Sequence, residues 1–162
     1  MPQFQDHIKQ AKNNIAFLKD LNLKIDSYHD WQVTVCFYIA VHLANAHLAK
    51  NGLQFRKHSS VNHALNPEVQ TSITKIDEDT YLAYMKLFNL SRRSRYLTSE
   101  NQKDAKSDDS FPTYDKHFAK ALRYLDKILS YFSMKHAEEF DNIVIKCSEI
   151  SKSENLNYIK KG

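Results

Sequence analysis

With 162 residues, only two glycines and three prolines, the chain is long enough to bury a full core. It has little material for strands, tight turns or phosphate-cradling loops, which points to an α-only fold in one domain. A formal net charge of +4, with eight histidines adding positive charge below neutral pH, permits an acidic partner such as RNA without demanding one.

The N-terminus MPQFQDHIKQ has no basic region followed by an apolar core. No apolar run reaches membrane-spanning length, so the expectation is no membrane and a cytoplasmic location. The first helix is predicted from about Phe4 to Leu21, with Phe4, Ile8, Ala11, Ile15 and Leu18 recurring at helical spacing. Asp26 and Ser27 supply cap residues, and Asp30 stands three after Ser27, so a second helix is predicted from Tyr28 to Lys50. Its sequence, WQVTVCFYIAVHLANAHLAK, is apolar on almost every side, as expected of a helix wrapped by others. The polar positions Thr34, Tyr38, His42 and Asn45 form one narrow stripe on it, facing a partner, a ligand or a buried hydrogen-bond network. Gly52 fits the left-handed stop at its end.

GLQFRKHSSVNHALNPEV reads as an ordered connection with a short helix from Ser60 to Leu65, stopped by Asn66 and Pro67. Thr80 to Tyr96 form a long helix with a broad aromatic and aliphatic face, ending in Arg92, Arg93 and Arg95; the helix dipole favours cations there. Residues 98–112 are polar without apolar periodicity and read as a mobile loop. From Thr113 to Phe132, Tyr114, Phe118, Ala121, Leu125, Ile128 and Phe132 alternate in steps of four and three, a seam for packing within the chain or between two copies. A last helix is predicted from His136 to Ile150, with Phe140, Ile143, Val144, Cys147 and Ile150 on one face. The tail after about 151 reads as frayed or docked through Tyr158 and Ile159. The fold expected is an all-α, up-and-down bundle of about five to six helices around the central apolar helix.

No Gly-rich phosphate loop, zinc-ligand pair or nucleophile elbow is present. Cys36 and Cys147 read as reduced core thiols. The pairs His42/His47 and His58/His63 are each five apart, off the spacing of three or four that helical metal ligands favour; neither a metal nor another cofactor is expected. Arg56, Lys57 and His58, together with Arg92, Arg93 and Arg95, would form a phosphate-binding patch if the helices preceding them ran parallel; antiparallel helices would separate the two groups. Tyr38 and Tyr96 could stack on bases or serve the core.

CFYIAVHLANAHLAKNGLQFRKHSSVNHAL, followed by YLAYMKLFNLSRRSRYL, resembles the HEPN superfamily of small helical bundles: a Tyr-rich helix, a Gly and a His-Ser turn, then a helix ending in Arg and Tyr. The resemblance covers roughly residues 28–132. It implies a bundle that dimerises, that binds or acts on RNA or nucleotides, and that serves in toxin-antitoxin or defence modules beside a nucleotidyltransferase-type partner. The ribonuclease branch carries an Arg followed after four to six residues by a His, which Arg56 and His63 match in spacing. Here the pair falls earlier in the bundle than that motif, Lys57 replaces the usual Asn, Asp or His, and no His follows Arg92, Arg93 or Arg95 at that distance. The reading is therefore a binding module for RNA, nucleotide or a partner protein. Its alternatives are a metal-independent endoribonuclease, with His as general base and Arg stabilising the transition state, and a purely structural bundle.

Overall fold

The computed structural model describes residues 1–100 and 109–162; residues 101–108, the centre of the expected mobile loop, lie outside the described residues. The described residues form five helices and two short strands in the order α1 (Phe4–Lys24), α2 (His29–Lys50), α3 (His58–Leu65), α4 (Glu78–Tyr96), α5 (Asp115–His136), β1 (Ile143–Ile145) and β2 (Ile159–Lys161).

Side-chain contacts set the directions of the long helices. His7 meets His42 and Asn22 meets Gln32, so α1 and α2 run antiparallel. His47 near the end of α2 reaches Thr74 just before α4, while Phe37 in the first half of α2 packs on Phe88 late in α4, so this pair is antiparallel too. α5 lies parallel to α2, since His29 stacks on Phe118 and His47 packs on Phe132. The result is an up-down-up-down bundle with α2 at its centre. From Gln32 to Leu48 only Tyr38 is exposed, and His42 and Asn45 are half-buried, because α1, α4 and α5 cover the remaining faces. An 18-residue window of α2 has the length and composition of a membrane span, with a mean hydropathy of 1.2, and 78% of it is buried inside the bundle.

The expected seam of α5 is used within the chain: Phe118, Ala121, Leu125, Ile128 and Phe132 are all buried, whereas Tyr114 is exposed. Gly52 adopts φ +73°, the left-handed stop expected after α2. The cap expected of Ser27 and Asp30 is not made; α2 begins after Tyr28 without a side-chain cap.

The C-terminal quarter departs from expectation. No helix spans His136–Ile150: α5 runs on to His136 and stops at Ala137 in the left-handed region, φ 54°. Beyond it Ile143 and Ile145 are buried and Val144 is exposed, a two-residue alternation that belongs to a strand. Nor is the tail frayed, because β2 pairs with β1 in parallel, Ile143 opposite Ile159. Two side chains hold this ribbon to the helices. The Asp126 carboxylate of α5 accepts the backbone N–H groups of Asn157, Tyr158 and Ile159 at 3.0, 2.6 and 3.0 Å. The Asn22 amide of α1 bonds both backbone groups of Lys146, at 2.7 and 2.9 Å. The tail is thus fixed by charge-assisted hydrogen bonds that no hydrophobic periodicity announces.

Candidate nucleic-acid interface

α2 and α4 are antiparallel, the arrangement expected to keep the two basic groups apart, but α3 starts against the middle of both helices. After Gly52 the connection turns back along α2 and reaches its level near Phe37, where α3 begins at His58. The His58 ring packs on Phe37 at 5.6 Å and on Phe88 at 5.7 Å. It is held below the ordinary histidine range first by burial and then by the Arg95 guanidinium, which faces it. His58 thus lies against α4 at Phe88, about one to two helical turns before Arg92 and Arg95.

The basic residues divide by what they hold. Arg93 is a tie within the fold: its guanidinium donates twice to the Pro112 carbonyl, at 3.1 and 2.8 Å, and lies 5.7 Å from the Phe111 ring. Arg95 is anchored by Ser91, to the carbonyl and the hydroxyl, and lies 5.1 Å from the Tyr96 ring centre. Tyr96 is 63% exposed, so a face of an aromatic ring backed by a guanidinium is presented to solvent. Arg56 and Lys57 are exposed and Arg92 half-buried, and none of the three makes a hydrogen bond or ion pair to the described residues.

Arg56 and His63 make no hydrogen bond to each other. Arg56 lies in the extended approach to α3 and His63 in its last turn, both exposed. His63 lines a shallow depression with Phe55, Ser59, Ser60 and Ala64, and no carboxylate there orients its ring.

The polar stripe of α2 is resolved into separate contacts. The Thr34 hydroxyl donates to the Asp30 carbonyl of its own helix at 2.8 Å, a local bond. His42 shares a proton with His7 of α1, Nδ1 to Nδ1 at 3.2 Å, and burial lowers the pKa of both. The Asn45 side-chain oxygen is buried without a hydrogen-bond partner among the described residues. Tyr38 is 42% exposed, and Trp31, two turns earlier on the same face, is 60% exposed. The stripe is thus a surface flanked by α1 rather than a closed network.

A second histidine pair lies at the opposite end and carries no periodic signal. His47 Nε2 must donate to the Thr74 carbonyl at 3.0 Å, leaving Nδ1 to accept from His136 Nε2 at 3.1 Å. Burial and then the facing His47, Lys50 and Lys135 lower His136 to about 4, against a smaller upward pull from Glu138. Among the described residues no group of three or more His, Cys, Asp or Glu is placed to hold a metal ion.

The HEPN domain family matches residues 4–135, and the chain belongs to it. The match takes in the whole helical bundle and stops before β1, so the β1–β2 ribbon lies beyond the matched domain. No curated protein and no solved structure matches the chain.

Proposed function

We propose that this HEPN domain is a non-catalytic binding module that holds RNA at the end of the bundle formed by α4 and the start of α3. The observation that carries this reading is the packing of His58, at the start of α3, on Phe88 of α4, which draws the Arg56–His58 segment to within about two helical turns of Arg92 and Arg95 along α4 despite antiparallel helices. Arg56, Lys57 and Arg92, whose side chains have no partner among the described residues, supply cations for backbone phosphates, and Tyr96 supplies a stacking face for an unpaired base. The early position of Arg56 and His63 in the bundle, with Lys57 after the Arg, favours this reading over the metal-independent ribonuclease.

The test is labelled total RNA incubated with the purified protein at low salt, read for retention and for cleavage, with His63→Ala alongside. Retention without cleavage, equal in the variant, is the expected result. Cleavage by the wild type that is lost in His63→Ala would replace this reading with the ribonuclease.

A second reading, compatible with the first, concerns the α1–α2 face. Exposed Trp31 and Tyr38, with the unpartnered Asn45 oxygen on the same helix, have the character of a protein-binding surface, including one for a second copy of the chain. Sedimentation of Trp31→Ser against the wild type distinguishes a homodimer, which the substitution would dissociate, from a monomer that it leaves unchanged.

A further inference from the structure

The flank between α4 and α5 holds an open cleft of about 230 Å³ lined by Lys86, Asn89, Leu90, Glu100, Lys120 and Tyr124. It lies on the side of the bundle, and the basic end described above shares only Arg93 with it. Three cations border the cleft: Lys86 lies 5.8 Å from the Tyr124 ring centre, Lys120 pairs with Glu100 at 3.0 Å, and Arg93 approaches the other Glu100 oxygen at 3.9 Å. Glu100 is the sole carboxylate lining it, and Lys86 has no carboxylate partner among the described residues. Among the described residues the cleft therefore carries an excess of positive charge.

Glu100 is poorly satisfied where it sits. One oxygen accepts from Lys120, while the other is buried with no hydrogen bond among the described residues, and Arg93 at 3.9 Å is too distant to supply one. A carboxylate has two oxygens in one plane. A phosphate has three or four arranged as a tetrahedron, and from the same position it can meet cations approaching from α4 and from α5 together. Asn89 adds an amide with no hydrogen-bond partner among the described residues, and burial on two sides weakens the competition from water.

We propose that this cleft is a phosphate-binding site and that Glu100 is its internal competitor, occupying the place an incoming phosphate takes. Lys86 and Lys120 are the groups that bind the ligand. The chemistry recognised is a phosphate group, carried by a free nucleotide or by an RNA chain. This inference does not depend on the RNA-binding end, whose cations Arg56, Lys57 and Arg92 lie outside the cleft lining.

The experiment is calorimetric titration of the full chain with inorganic pyrophosphate at low salt, for the wild type, Glu100→Gln, Lys86→Gln and Lys120→Gln, each checked for unchanged helical circular dichroism. Removing the competitor while keeping its shape is expected to tighten binding about tenfold, and either lysine substitution to weaken it about tenfold. Competition by ADP would assign the site to a free nucleotide. Competition only by an RNA oligomer lacking terminal phosphates would assign it to the chain. Absence of binding in both wild type and Glu100→Gln, unchanged affinity in Glu100→Gln, or full affinity in the lysine variants would overturn the proposal. Loss of RNA retention in Arg56, Lys57 and Arg92 variants with pyrophosphate binding intact would show that the two sites are separate.

Discussion

The two ends of the bundle use the same residue types for opposite purposes. Where α2 and α5 terminate, His47 and His136 form a relay that ends on the Thr74 carbonyl, Phe132 stacks on His136, and Phe4 closes the edge of that ring. Each histidine nitrogen in the relay bond has a partner, and both rings are held neutral. Toward the end where α4 terminates, His58 again lies among aromatic rings, with the charge of Arg95 lowering its pKa further, and the side chains of Arg56, Lys57 and Arg92 reach no acceptor among the described residues. The histidines of the first end are satisfied within the fold, with Lys50 and Lys135 beside them. Cations left without partners are costly to gather unless something outside the protein neutralises them.

If the closed end is structural, breaking it should be expensive. Phe132→Ala removes a fully buried ring from against both histidines and is expected to cost about 3–5 kcal/mol in chemical denaturation. His47→Ala strips the Thr74 carbonyl and His136 of their partner, at about 1–3 kcal/mol beyond lost packing. Asp126→Ala leaves three backbone N–H groups of the tail unpaired; it should cost about 1–3 kcal/mol and raise hydrogen exchange at Tyr158 and Ile159 before the helices are affected.

Acid sharpens the same contrast. His7, His42, His47 and His136 all titrate lower in the fold than the ordinary value of 6.5, so the unfolded chain takes up protons first. Stability is complete above about 6.5 and falls with the pH toward the folded value of about 4 at His136. The depressed carboxylates act lower: Glu154, held near 2 by Arg123, adds its loss only below its ordinary 4.5. A melting temperature that declines between pH 6.5 and 4.5, and declines less in a His47→Gln, His136→Gln variant, is the expected outcome. The smallest effect belongs to the open end, where Arg56→Ala, Lys57→Ala and Arg92→Ala should each leave stability within about 0.5 kcal/mol.

Much of this architecture is legible from residues alone. The apolar circumference of α2 required neighbours on all sides, and the four-three steps of α5 required a packed seam; both are buried within the chain. The last predicted helix failed because Phe140, Ile143, Val144, Cys147 and Ile150 also suit a helical face, and a three-residue strand is too short for its alternation to outweigh that pattern. The ribbon depends on Asn22 and Asp126, more than thirty residues from the strands they hold or on another helix, and such partners are invisible to local spacing. The basic end shows a different limit. The two basic segments are visible, but the approach of α3 to α4 depends on the connection after Gly52 doubling back along α2, which helix direction alone does not reveal. The α4–α5 cleft was missed entirely, since Lys86, Glu100 and Lys120 look like ordinary surface charges until the fold brings them together.

The measurement closest to the central claim is the salt dependence of RNA retention for the wild type and for the triple variant Arg56→Ala, Lys57→Ala, Arg92→Ala. The open end predicts that log affinity of the wild type falls linearly with log salt, and that the variant binds more weakly at low salt with a slope shallower by about 2 or 3, one for each phosphate contact removed. Equal slopes and equal affinities for the two proteins would contradict it.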